Sequence, residues 1–122
     1  MKIEILNGLT AKQFLGEYWQ KKPLLVRGAF PGFRDFVSSA MLQDLAQQED
    51  VQARLVTETD GVWDVRQGPL RPGDFRRLQR AHWSLLVQGI DHWLPAGRAL
   101  LSRFAFIPHA RLDDLMVSYA PR

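Results

Sequence analysis

Asp60-Gly61 stands between two alternating runs, Leu55-Val56-Thr57 and Val62-Trp63-Asp64-Val65. Asp-Gly suits a two-residue turn, because both central positions need a positive φ. Only antiparallel strands can be joined by so short a link. The pattern predicts a hairpin over 52–65 and commits part of the chain to an antiparallel sheet.

A second stretch of this kind is Arg111-Leu112-Asp113-Asp114-Leu115-Met116-Val117-Ser118-Tyr119-Ala120-Pro121-Arg122. As a strand it places Leu112, Asp114, Met116 and Ser118 on one side. Asp113, Leu115, Val117 and Tyr119 fall on the other. Both faces are partly apolar, so the strand calls for neighbours on two sides. That is an unexpected place for a domain to stop, and it predicts the front part of a larger domain. His82 to Ile90 is the most apolar segment and reads as a central strand.

Helices and loops fill the rest. Ile3 and Ile5 alternate with Lys2 and Glu4 as a short strand, which Asn7-Gly8 breaks. Thr10 and Gln13 have capping-box spacing, ahead of a helix whose inner face carries Phe14, Leu15, Tyr18 and Trp19. Lys21 and Lys22 fall in its last turn and Pro23 ends it. Leu24-Leu25-Val26 reads as a short buried strand, and 28–36 as a loop anchored by phenylalanines. Ser38 or Ser39 caps a second helix, with Met41, Leu42, Leu45 and Ala46 facing inward. Residues 68–73 form a loop, with Asp74 capping a short helix. Asp91 to Phe104 forms a helix with Pro95 in its first turn, where proline is tolerated. Trp93, Leu100, Leu101 and Phe104 lie on its inner face.

Composition narrows the class. At 122 residues, 46% of them hydrophobic and four of them Trp, the chain holds one domain or part of one with a modest core. It has no Cys, which removes disulfides, thiolate metal sites and a Cys nucleophile. The charged, short N-terminus is no signal peptide and no apolar run is long enough to span a bilayer, so a cytoplasmic protein is expected. A net charge of +3 favours acidic partners only mildly.

Four groups of residues carry candidate chemistry. His82, His92 and His109 lack the i,i+4 or His-x-His spacing of a metal site and read as structural or surface residues. Asp113 and Asp114, adjacent on a strand, face opposite ways; an inward one needs a partner, for which Arg111 or Arg54 is the candidate. Arg71, Arg76, Arg77 and Arg80 crowd into ten positions, either as a solvated face or as a phosphate-contacting patch. Ser118 lies on the Asp114 and Met116 side, as a satisfied hydroxyl or a donor to a ligand carboxylate.

Three segments together resemble the JmjC-type, cupin-superfamily ribosomal oxygenases. They are the run from Phe14 to Phe30, Trp83-Ser84-Leu85-Leu86-Val87-Gln88 with His92-Trp93, and Asp113 to Tyr119. Within that family the likeness is to bacterial enzymes that hydroxylate an arginine of a large-subunit ribosomal protein. The resemblance implies an α+β fold in which N-terminal helices and strands pack on, and start, an incomplete double-stranded β-helix (cupin or jelly roll). It implies a single partial domain over 1–122, cut before the metal-binding motif.

The resemblance also implies Fe(II) and 2-oxoglutarate as cofactors, with two His and one carboxylate on the iron. Ser118 alone matches a family position near 2-oxoglutarate. The His-Xaa-Asp pair, the distal His and the cosubstrate-anchoring basic residue have no counterpart, so no catalytic or metal-binding residue is assigned and no turnover is expected of the 122 residues alone. A large-subunit ribosomal protein is the implied substrate, with no membrane partner and no nucleic acid as direct ligand. Self-association through an exposed sheet edge is expected. The alternative is a non-catalytic module that contacts protein or RNA through the Arg71–Arg80 cluster.

Overall fold

The Asp60-Gly61 pair turns the chain as its residues require. In the computed structural model, which describes residues 1–122, Asp60 has φ 52° and Gly61 φ 79°. A Glu58 side-chain oxygen accepts the Gly61 N–H at 3.1 Å. Strand β1 (Ala53–Thr59) runs into the turn and β2 (Val62–Gln67) leaves it. Strand β3 (Trp83–Val87) pairs with the other side of β1, and β4 (Val117–Tyr119) pairs with β3. The result is an antiparallel sheet in the order β2-β1-β3-β4, and the fold class is α+β as expected.

The register decides which face is core. Ala53 lies opposite Val87, and Leu55 opposite both Leu85 and Arg66. Ala53, Leu55, Leu85 and Val87 therefore share a face, and all four are buried. Helix α2 (Ser39–Ala46) contributes Leu42, Leu45 and Ala46 to the same core, which Val51, Leu70 and Ile90 complete. Fully burying a side chain such as Leu42 or Leu85 contributes roughly 1.5–3 kcal/mol, so this layer dominates the stability of the sheet. The opposite face carries Arg54, Val56 and Glu58 on β1, Trp63 and Val65 on β2, Ser84 and Leu86 on β3, and Ser118 on β4. It is open: Trp63 is 71% exposed and Val65 53%.

The residues divide into two compact units, Met1–Asp35 with Arg103–Leu112, and Phe36–Ser102 with Asp113–Arg122. The sheet and its core belong to the second. In the first, helix α1 (Ala11–Glu17) begins with the predicted capping box: Thr10 Oγ1 accepts the Gln13 N–H at 3.1 Å, and Gln13 Oε1 accepts the Thr10 N–H at 2.9 Å. Phe14 meets Tyr18, Trp19 and Phe106 with ring centroids 5.5–6.4 Å apart, and Phe30 meets Phe104 at 6.1 Å. Ile5 and Leu6 are buried in this unit.

Several expected elements take another form. Glu4–Leu6 is a turn of 3-10 helix, and the segment's one ladder contact is a bridge between Lys2 and Thr10. Leu24-Leu25-Val26 finds no strand to pair with and stays irregular, leaving Leu25 75% exposed. Helix α1 ends at Glu17, short of Lys21 and Lys22; Lys21 instead donates from its ammonium to the Gly16 carbonyl.

In the second unit, α2 buries Leu42, Leu45 and Ala46 but leaves Met41 exposed. The helix expected over 91–104 is two, α4 (Ile90–Trp93) and α5 (Pro95–Ser102). Pro95 cannot continue a preceding helix, and it pushes Leu94 into an extended conformation at φ −121°, ψ 126°. Trp93 is left 37% exposed, outside the core. The long C-terminal strand shrinks to the three residues of β4, after a 3-10 turn at His109–Arg111.

Candidate functional site

Ser118 is placed by its neighbours in β4. Val117 pairs with Val87 and packs on the core, so Ser118, one residue on, points to the open face, opposite Leu86. Ser84, Leu86 and Val56 lie on that face as well. The hydroxyl is thus presented beside apolar sheet positions rather than inside the core.

What holds β4 in register lies just before it. The Asp91 Oδ1 accepts the Leu115 N–H at 2.9 Å, the Ile90 N–H donates to the Leu115 carbonyl at 2.9 Å, and Asp114 Oδ2 accepts the Gly89 N–H at 2.7 Å. Gly89 has φ 68°, a left-handed turn that glycine adopts freely. Here the arginine partner expected for an inward aspartate is replaced by a backbone donor. The reason is geometric: the Gly89 turn points its N–H at Asp114, while Arg111 belongs to a 3-10 turn and Arg54 lies on the open face of β1. Asp91, 9% exposed, had no signal in the sequence beyond its place at the start of a helix. Asp113 is exposed and lines a shallow concavity of about 370 Å³ with Asp50, Gln52, Gln88 and His92.

The histidines lie apart. His82 Nδ1 is 3.5 Å from Glu58, His92 Nε2 is 3.7 Å from Asp91, and His109 belongs to a 3-10 turn. No three His, Asp or Glu side chains converge as metal donors. An iron facial triad of two His and one carboxylate does not fit the residues of this chain.

The arginines do converge, in a different set. Helix α3 (Pro72–Arg76) and the end of β2 bring Arg66, Arg71, Arg76 and Arg77 around a concavity of about 500 Å³; Arg80 is not among its walls. The one acid there is Asp74. It does not cap α3 from in front, as its position after Gly73 suggested. It sits in the third position of the helix and reaches back to accept the Arg71 N–H at 2.8 Å. Arg66 donates to its other oxygen. The backbone hydrogen bond from Arg71, with the Arg66 charge beside it, holds the Asp74 carboxyl below the usual aspartate range. Arg66 lay outside the predicted cluster. It could have been found from the hairpin, whose pairing turns it to the Leu55 face, toward α3.

No protein-family model matches the chain. It is 44% identical over 115 residues to a probable ribosomal oxygenase of Haemophilus influenzae, covering 93% of this chain and 28% of that one. It is 40% identical over 112 residues to the ribosomal protein uL16 3-hydroxylase of Escherichia coli, covering 92% and 30%. Among solved structures it is similar to the E. coli ribosomal oxygenase YcfD, both in complex with cobalt and 2-oxoglutarate and in complex with cobalt and succinic acid. Each superposes with a TM-score of 0.82 at 39% identity, over 93% of this chain and 31% of the other. The chain thus spans less than a third of the length of the relatives it matches.

Proposed function

We propose that the chain belongs to the ribosomal oxygenase family, as the N-terminal part of that fold, and that it serves a 2-oxoglutarate- and Fe(II)-dependent hydroxylase of a large-subunit ribosomal protein. In this reading residues 1–122 are one partial JmjC-type, cupin-like domain of a cytoplasmic enzyme. No helix of the chain is long and apolar enough to cross a membrane.

The observation that carries the reading is the placement of Ser118 on the open face of a sheet whose other face is sealed by helices. That face lies free for a second layer and a small ligand, and a serine there is suited to donate to a carboxylate of 2-oxoglutarate. The iron, when bound, supplies the oxidising chemistry. In this reading its ligands come from residues other than these 122, since no three His, Asp or Glu side chains here group as metal donors. The chain's own contribution is to set the register of β4 through Asp91 and Asp114, to present Ser118, and to close the back of the sheet with α2 and Ile90.

The test is 2-oxoglutarate turnover with Fe(II), ascorbate and an arginine-containing fragment of a large-subunit ribosomal protein. The 122 residues alone are expected to show none, and a chain with the relatives' full length to be active. In that longer chain Ser118→Ala should raise KM for 2-oxoglutarate about 10- to 100-fold, the worth of one hydrogen bond to a charged group. Turnover by the 122 residues alone would overturn this assignment of the iron ligands to other residues.

A further inference from the structure

The charge of this protein is concentrated in one place. Residues 66–80 hold five arginines and one acid, a net of +4, against +3 for the whole chain, so the other residues together are slightly acidic. Four of the five arginines surround a single open concavity. Arg66 is committed to Asp74, while the guanidinium groups of Arg71, Arg76 and Arg77 form no ion pair with the protein, and all three residues are exposed. A solvated helix face usually mixes its charges. Asp74, already paired with Arg66, is the one acid near them and also feels the Arg77 charge, so three arginines without an ion pair of their own, held together by the loop at 68–71 and a five-residue helix, repel one another unless a further anion lies between them.

We propose that this concavity binds the phosphate backbone of RNA. A guanidinium fork matches a phosphate in two-point hydrogen bonding. The concavity is wide and open, and its free arginines are all at the surface, which suits a chain of phosphates running past rather than one enclosed anion. Pro69, Pro72 and Gly73 between them leave little side-chain bulk to hold a polyanion off. Glu58 and Asp64 lie beyond Arg66 and Arg77 in the adjoining concavity and limit the track to the side of Arg71, Arg76 and Arg77. The choice of RNA over an acidic peptide rests on the ribosomal reading given above. The site itself does not, because Arg66 projects from the Leu55 face of the sheet and Ser118 from the opposite one.

Three phosphate contacts give a logarithmic salt dependence with a slope of about −2 to −3, so binding of an RNA hairpin should weaken about 20- to 60-fold between 50 and 200 mM salt. Replacing Arg71, Arg76 and Arg77 together by Gln should weaken it more than 10-fold at 50 mM and flatten the slope toward zero. Replacing Lys12, Arg27 and Arg34 by Gln removes the same charge from exposed positions elsewhere and should leave both nearly unchanged. Circular dichroism of each variant checks that it is folded.

Unaltered RNA binding in the first triple variant, or equal losses in both, would overturn the proposal. So would a poly-glutamate chain of equal charge that binds as tightly as the RNA and loses binding in the same variant, since that would make the partner an acidic protein. Hairpin binding is read without turnover. Its failure would leave the oxygenase reading standing, and loss of the oxygenase reading would leave the binding result standing.

Discussion

The Asp91 carboxylate accepts the backbone N–H of Leu115 at 2.9 Å, joining a helix start to the approach of the last strand across 24 positions of sequence. Asp91 is nearly buried, so its removal strands a donor that water reaches poorly. Asp91→Ala should cost about 1–3 kcal/mol in urea unfolding. Asp91→Asn keeps an oxygen in the same place and should cost less than half of that. Equal losses in the two variants would mean that the charge, not the hydrogen bond, is what matters at this position.

That link also marks where the sequence stops being readable. The hairpin was legible because Asp60-Gly61 enforces its own local geometry, and the start of α1 because Thr10 and Gln13 satisfy each other within one turn. Leu24-Leu25-Val26 has the composition of a strand, yet a strand exists only by pairing, and nothing local tells whether a partner arrives. Pro95 reads as a tolerated first-turn proline of one helix, and the structure breaks the helix there instead. The break follows from the extended Leu94 before it, which brings Gly97 against Ile90. Among the candidate site residues, the sequence placed three of the four arginines correctly and omitted Arg66, which joins them only once β2 folds back along β1. The sequence calls for a partner for whichever of Asp113 and Asp114 lies inward without choosing between them, and a backbone N–H presented to Asp114 by a turn 25 positions earlier leaves no mark in composition.

Two glycines in helices should respond oppositely to alanine. A Cβ on Gly97 would lie 3.0 Å from Ile90 Cγ2 and 3.1 Å from the Ile90 carbonyl oxygen. Overpacking of this kind costs about 1–3 kcal/mol, more than the helix propensity gained, about 1 kcal/mol. Gly97→Ala should therefore destabilise the sheet unit by up to about 2 kcal/mol. Gly16 in α1 has nothing within 4 Å of a built Cβ. Gly16→Ala should stabilise by about 0.4–1 kcal/mol. Thermal melts of both variants against the parent give the signs directly.

The capping box of α1 offers a local test in the other unit. Thr10→Ala removes the acceptor for the Gln13 N–H and should cost about 1 kcal/mol, with Thr10→Ser nearly neutral. Amide exchange at Gln13 should accelerate in the alanine variant, while exchange at Leu55 and Leu85 in the sheet stays as it was. A matching acceleration in the sheet would mean that the two compact units unfold together rather than separately.

Asp74 ties acid stability to the arginine concavity. Its folded carboxyl titrates below the unfolded value because it accepts the Arg71 N–H and, secondarily, faces Arg66. A depressed carboxyl contributes stability that is fully present above its unfolded pKa, near 4, and is lost as pH falls through the lower folded value. Urea midpoints from pH 6 down to pH 2 should therefore fall less steeply below pH 4 in Asp74→Asn than in the parent. Arg66→Gln removes the smaller cause and keeps the backbone hydrogen bond, so its acid limb should lie between the two. An Arg66→Gln limb that coincides with that of Asp74→Asn would assign the depression to the ion pair and leave the Arg71 N–H without a role in it.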